Sequence, residues 1–128
     1  GDLLIKPTKI YTQSILEVLK TEKINAMAHI TGGGLTENIP RVIPNEFKAV
    51  ISKNSWKIPK LFNWIKSEAQ LDDDELFKTF NCGIGMVIIV KKELKDRVMT
   101  SLGNSKENVF EIGKITKKVV DEPQIQII

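Results

Sequence analysis

One cysteine, one histidine and an aromatic content of 6% set the first limits on what these 128 residues can do. With Cys82 as the lone cysteine no intramolecular disulfide can form, and with His29 as the lone histidine no Cys/His zinc cluster can be assembled. A reducing, cytoplasmic setting is the simpler expectation. No apolar run approaches the roughly 20 residues that cross a bilayer, and the longest candidate, Ile84 to Val90, has the length of a strand, so no membrane partner is expected. Clustered charge is lacking too. Nineteen Lys and Arg against sixteen Asp and Glu leave a net charge of +3, and the basic residues are scattered, with Lys91-Lys92 and Lys117-Lys118 the only adjacent pairs. A nucleic-acid patch would gather them on one element with aromatic residues between, so no nucleic-acid partner is expected. No initiating methionine and no basic-then-apolar leader precede Gly1, and the chain is expected to be a piece of a longer protein.

The composition that remains, 41% hydrophobic and 27% charged, suits one globular domain. Leu3-Leu4-Ile5 reads as a short strand ended by Pro7, and Thr8 opens a helix from about Lys9 to Lys20 that is expected to bury Tyr11, Ile15, Val18 and Leu19 against a sheet. Ile24 to Ile30 is expected to be extended, Leu35 to Ile39 a single helical turn, and Phe47 to Ser52 a strand. Pro59 suits a first helical turn, with Phe62, Ile65 and Ala69 at helical spacing behind it in a helix that ends near Gln70. Asp72 with Glu75 forms a capping-box start for a helix burying Leu76, Phe77 and Phe80. The acidic run Asp72-Asp73-Asp74 can be read as metal ligands or as dipole-favouring caps, and the second reading is preferred. Met86 to Val90 has the continuous apolar character of a strand covered on both faces. Glu93 to Leu102 reads as a helix stopped by Gly103, Val109 to Thr116 as an alternating strand, and Val119-Val120 with Ile125 to Ile128 as a last edge or hairpin. Alternating strands and helices with short connections predict an α/β (α+β) fold, a mixed β-sheet with packed helices, and residues 1–128 as a single domain.

The informative stretch is Ala28-His29-Ile30-Thr31-Gly32-Gly33-Gly34-Leu35-Thr36-Glu37-Asn38-Ile39-Pro40-Arg41. Glycine backbone can adopt positive φ and approach a ligand closely, so Thr31 to Gly34 can present N–H groups to a phosphate. The alternative is a tight turn where two elements pack. A Walker loop is excluded because Leu35-Thr36, and not Lys-Ser/Thr, follows the last glycine. His29 can donate to a phosphate or carry a proton near neutral pH, or be a satisfied structural residue. Asn38 and Arg41 can complete an anion site, Arg41 with a bidentate fork, or be ordinary loop residues. Replacing Gly33 by Val is expected to impair substrate binding with a modest loss of stability. Asn81-Cys82-Gly83-Ile84-Gly85 has a weak nucleotide-fingerprint spacing, but it precedes a strand, so a second cleft wall or a helix stop are the readings left to Asn81, Gly83 and Gly85. Nothing beside Cys82 in sequence lowers its pKa, and nucleophilic catalysis is not expected. No metal site is expected.

The stretches Gly1 to Tyr11, Ala28 to Arg41 and Phe80 to Met86 resemble, in order and spacing, the C-terminal half of the phosphoribosylformylglycinamidine cyclo-ligases, also called aminoimidazole ribonucleotide synthetases. Family members commonly carry Met where Cys82 stands and Arg where Lys9 stands. The resemblance implies an ATP-dependent ring closure in purine biosynthesis. ATP would phosphorylate the formyl amide oxygen of formylglycinamidine ribonucleotide, an amidine nitrogen would attack the activated carbon, and phosphate would leave. It also implies a homodimer with magnesium, in which an N-terminal half absent here supplies most of the dimer interface and holds ATP and the metal, leaving the C-terminal half inactive alone. Thr31, Gly32, Gly33, Gly34, Asn38 and Arg41 would contact phosphate, with His29 as catalytic candidate. The superfamily includes formylglycinamidine ribonucleotide synthetase, selenophosphate synthetase and thiamine monophosphate kinase, and the alternatives are a non-catalytic phosphate- or nucleotide-binding module or a related member such as either of the two synthetases.

Overall fold

Short polar connections separate segments of helical and of alternating apolar spacing, and the computed structural model, which describes residues 11–128, turns them into helices and strands in the order α1 (Thr12–Leu19), β1 (Ala26–His29), α2 (Gly34–Asn38), β2 (Phe47–Ile51), α3 (Lys60–Glu68), α4 (Asp73–Thr79), β3 (Met86–Ile89), α5 (Lys95–Asn104), β4 (Gly113–Lys117) and β5 (Ile125–Ile127). Two 3-10 turns, Pro40–Val42 and Lys92–Leu94, complete the series. The expected strand Leu3 to Ile5 and the expected helix start at Lys9 lie outside the described residues. Strands β1 and β3 pair with each other, and β4-β2-β5 form a mixed sheet in which β2 runs antiparallel to β4 and parallel to β5. The α/β fold with a mixed sheet is therefore present. Contacts divide the chain into two compact units: residues up to Asn25 with Ile88–Val109, and Ala26–Val87 with Phe110–Ile128.

In the first unit α1 and α5 share a core of Val18, Val98 and Leu102, with Ile24, Ile88, Val90, Leu94 and Val109 packed around it. The buried stripe of α1, Ser14, Ile15 and Val18, packs mainly on the helix α5 and not on a sheet as expected, and Leu19, expected inside, is 45% exposed. One residue advances a helix by 100°, so with Val18 at the centre of the contact Leu19 turns away. Ser14 is admitted because its hydroxyl donates to Glu107 Oε1 at 2.6 Å. Helix α5 runs through Gly103, the expected stop, and ends where Lys106 takes φ +62° and the Glu107 N–H returns to the Leu102 carbonyl at 3.1 Å. That left-handed return satisfies a terminal carbonyl without glycine.

In the second unit β2 is the central strand, with Ala49 and Ile51 buried. Its register pairs Ile51 with Gly113 and with Ile127. Strand β4 begins at Gly113 and not at Val109: the β2 register ends at the Ile51–Gly113 pair, and beyond it the Ser52 N–H donates to the Ile112 carbonyl at 2.8 Å. A Cβ at Gly113 would overlap the Val50 carbonyl, so the glycine permits the close approach. Val119 and Val120, 68% and 84% exposed, form no strand, and no hairpin closes with β5 because β2 lies between β4 and β5. Strand β3 is less covered than a central strand, with Val87 its one buried residue. Pro59 stands at the N-cap of α3, which ends at Glu68, and Ala69 beyond it is exposed. Asp72 caps α4 with both arms of the capping box formed, and Leu76 and Phe77 are buried behind it. Trp56 meets Phe77 edge-on at 6.1 Å, and Phe62 tilts against Phe80 at 6.0 Å.

Asp73 sits between two lysines, accepting from Lys53 Nζ at 2.6 Å and Lys66 Nζ at 2.5 Å. Hydrogen bonds from Lys53, then Lys66, hold its carboxyl below the ordinary carboxylate value of 3.8 despite partial burial. A carboxyl whose folded pKa is lowered adds stability above its unfolded pKa and loses it as pH falls through the folded value. With 40% of its side chain exposed, solvent screens the pair. Asp73→Asn is expected to cost about 0.5 kcal/mol at neutral pH. Urea midpoints of variant and parent should converge as pH falls towards about 2.

Candidate functional site

Strand β1 alternates, with Ala28 and Ile30 buried and Met27 and His29 facing solvent, and this pattern delivers the chain into the glycines at a fixed height. The Ile30 N–H donates to the Gly85 carbonyl at 2.9 Å, so the strand remains paired up to the residue before Thr31. The loop then closes as a turn, the Gly34 N–H donating to the Thr31 carbonyl at 3.0 Å. Leu35 and Ile39, 0% and 1% exposed, pin α2 into the core behind it.

Each glycine of the triplet answers a different requirement. Gly34 has φ +58°, and a Cβ there would overlap the carbonyl oxygens of Phe77 and Phe80 at the end of α4. Gly33 has φ +96°, and a Cβ there would meet the Glu37 side chain. Gly32 needs neither exception, since nothing lies within 4 Å of its Cβ position. The tight-turn reading thus accounts for Gly34 and Gly33, and Gly32 is left as the open face of the loop. The modest stability cost expected for Gly33→Val is revised upward, because a β-branched side chain is strained at that positive φ.

Asn38, 6% exposed, lies under the loop. Its Nδ2 donates to the carbonyls of Gly34 at 2.8 Å, Thr31 at 3.3 Å and Gly32 at 3.3 Å, and its Oδ1 lies 3.5 Å from Thr31 Oγ1. Thr31 is exposed, His29 is exposed two residues before it, and Arg41 is exposed on the turn after α2. The second glycine stretch joins the same neighbourhood through Gly85, whose carbonyl holds Ile30. Asn81 turns its own chain, its Oδ1 accepting from the Gly83 N–H at 2.9 Å, and Gly83, φ +95°, lies against Pro59. Gly85 is therefore brought beside the loop, and Gly83 is turned to a packing task. The main-chain carbonyls of Phe77 and Phe80 form the floor under Gly34, and no side-chain pattern announces a main-chain contact.

Cys82 is fully buried, its carbonyl accepting from Trp56 Nε1 at 3.0 Å. Burial, with a smaller push from the Asp73 carboxylate, raises its thiol to about 12, so it carries no thiolate at neutral pH. Among the described residues no group of three or more His, Cys, Asp or Glu side chains is gathered to hold a metal ion. Shallow surface hollows lie over α1 and beside Glu22 and Arg97, and neither includes a residue of the loop. On the loop itself Thr31 and Gly32 are exposed and Gly34 is buried.

The model of the family described as AIR synthase related protein, C-terminal domain, matches residues 1–126, and the chain belongs to that family. It is 45% identical over 126 residues, 98% of its own length and 37% of the relative's, to a phosphoribosylformylglycinamidine cyclo-ligase of Neisseria meningitidis. To that of Cupriavidus pinatubonensis it is 43% identical over 127 residues, 99% of this chain and 36% of the relative. To the human trifunctional purine biosynthetic protein adenosine-3 it is 40% identical over 127 residues, 13% of that protein. The chain thus spans little more than a third of the cyclo-ligase relatives, which are enzymes of the ligase class.

The three glycines are expected to separate by stability. Gly34→Ala should cost about 3 kcal/mol, from left-handed strain and overlap together. Gly32→Ala should stay within about 0.5 kcal/mol of the parent. Urea unfolding of the two variants checks the contrast.

Proposed function

We propose that this chain is the C-terminal domain of a phosphoribosylformylglycinamidine cyclo-ligase, and that Thr31 to Gly34 form the phosphate-binding part of its cleft. The observation that carries the reading is identity of 43% and 45%, over 99% and 98% of the chain, to proteins of that name. In this reading ATP phosphorylates the formyl amide oxygen of formylglycinamidine ribonucleotide. The amidine nitrogen then closes the imidazole ring, and phosphate departs with the oxygen.

This chain's share is binding and orientation. The open face at Gly32 lets a phosphate oxygen reach the backbone, where a hydrogen bond to a charged oxygen contributes about 1.5 to 3 kcal/mol. Thr31 adds a hydroxyl and Arg41 an exposed cation, while His29 stands at the edge of the loop as a proton carrier. The remaining two-thirds of the protein supplies the opposite wall, the homodimer contact and most of the hold on ATP and magnesium. Magnesium would there neutralise the transferring phosphoryl group. No three-carboxylate or histidine cluster among this chain's described residues fits the ion, so no step of this domain is routed through it. A cytoplasmic location follows from purine biosynthesis and agrees with the lone buried cysteine.

Full-length protein, built on this chain, is expected to convert formylglycinamidine ribonucleotide and ATP to aminoimidazole ribonucleotide, ADP and phosphate, while the 128-residue chain alone turns over nothing. A well-folded full-length preparation without this activity would sink the reading. Tight calorimetric binding of ATP by the isolated chain would favour a self-sufficient nucleotide-binding module. In the active protein Gly32→Ala is expected to raise the KM of one substrate about tenfold or more, with Tm unchanged.

A further inference from the structure

The side chain of Asn38 is buried and surrounded by its own loop. One amide nitrogen reaches three main-chain carbonyls, those of Thr31, Gly32 and Gly34, at 3.3, 3.3 and 2.8 Å. Among the described residues no buried side-chain polar atom lacks a partner, so this amide belongs to a fully satisfied network. Its geometry has a consequence on the other side of the backbone. In a trans peptide the C=O and the following N–H lie in one plane and point in opposite directions. Among the described residues no peptide bond is cis. A carbonyl of Thr31 drawn inward therefore turns the N–H of Gly32 outward, and a carbonyl of Gly32 drawn inward does the same for Gly33.

We infer that Asn38 is the positioning residue of the glycine loop: it touches no substrate, but by holding the Thr31 and Gly32 carbonyls inward it aims the Gly32 and Gly33 N–H groups at an oxyanion outside. The inference rests on the phosphate-binding reading given above and replaces direct contact by Asn38 with action from beneath. The chemistry requires a neutral amide donor. Aspartate has nearly the same shape but, as a carboxylate, offers acceptors alone, and it would face three carbonyl oxygens with none of the hydrogen atoms that hold them. Alanine leaves the carbonyls without a brace and frees the two peptide planes to rotate.

Two measurements test the inference. In the full-length enzyme, Asn38→Asp and Asn38→Ala should raise the KM of one substrate about tenfold or more and leave the KM of the other unchanged. A residue with a merely structural role lowers the active fraction, which reduces apparent kcat and leaves both KM values alone. Unchanged KM values for both substrates in a folded variant would overturn the assignment. The second measurement needs no turnover. In 15N-labelled wild-type protein, titration with inorganic phosphate should shift the Gly32 and Gly33 amide resonances, and Asn38→Ala should abolish those shifts while the rest of the spectrum is retained. Equal shifts in Asn38→Ala would overturn the role of Asn38. No shift at Gly32 and Gly33 in wild-type protein would also overturn it, since outward N–H groups must meet the anion. That judgement stands whether or not the full-length protein proves to be a cyclo-ligase. If both Asn38 variants fail to fold, the wild-type titration still decides whether these two N–H groups face the ligand.

Discussion

The close approach of Gly34 to the carbonyl oxygens of Phe77 and Phe80 is the constraint on which the site depends. Only a residue without Cβ can sit there, and its φ of +58° sets the direction in which α2 leaves the loop. The floor is itself held from two sides. The capping box at Asp72 fixes the start of α4, and Phe77 is buried against the ring of Trp56. Trp56 in turn donates to the carbonyl of Cys82, in the turn that returns the chain to Gly85 and so to Ile30. Loop, α4 and the Cys82 turn are thus joined in one circuit of main-chain and side-chain contacts within a single compact unit. The lysines at Asp73 add a screened ion pair to the start of α4 and matter less.

Within that circuit the polar work is done by one side chain. A loop of three glycines has a large conformational entropy to lose on folding, and left to itself it would sample many backbone states. Asn38 selects among them with a single amide group, committed to three carbonyls. Preorganised donors cost less at the moment of binding than donors that must be gathered by the ligand. In the reading proposed above the loop would be set before any anion arrives, with the exposed Thr31 and Gly32 as part of one wall of a cleft. The chain spans little more than a third of its cyclo-ligase relatives.

Much of this was legible in the sequence, and the exceptions have physical causes. The α/β class, α2, β2 and the Asp72 capping box follow from periodicity and cap chemistry, which are local signals. The glycine stretch announced itself as a loop, and the long motif around it carried the family resemblance. The task of each glycine was not legible, because the partners of Gly34 are backbone atoms more than forty residues away and any sequence would supply them. Asn38 read as a ligand contact for the same reason: its residue type says that it will make hydrogen bonds, and only the fold says with whom. The start of β4 failed because Val109 to Ile112 alternates like a strand, but the β2–β4 ladder ends at the Ile51–Gly113 pair, with the Ser52 N–H donating to the Ile112 carbonyl just beyond it. Leu19 and Gly103 failed through helix phase and helix length, where a single residue changes the answer.

The central claim is that the Thr31 to Gly34 loop is preorganised in the absence of ligand by packing at Gly34 and by the Asn38 amide. Backbone 15N relaxation of the ligand-free protein measures it directly. The account predicts order parameters at Gly32, Gly33 and Gly34 close to those of α2, about 0.85 as in rigid backbone. Values below about 0.6, typical of flexible segments, would contradict it and make the loop a feature that the ligand, and not the fold, creates.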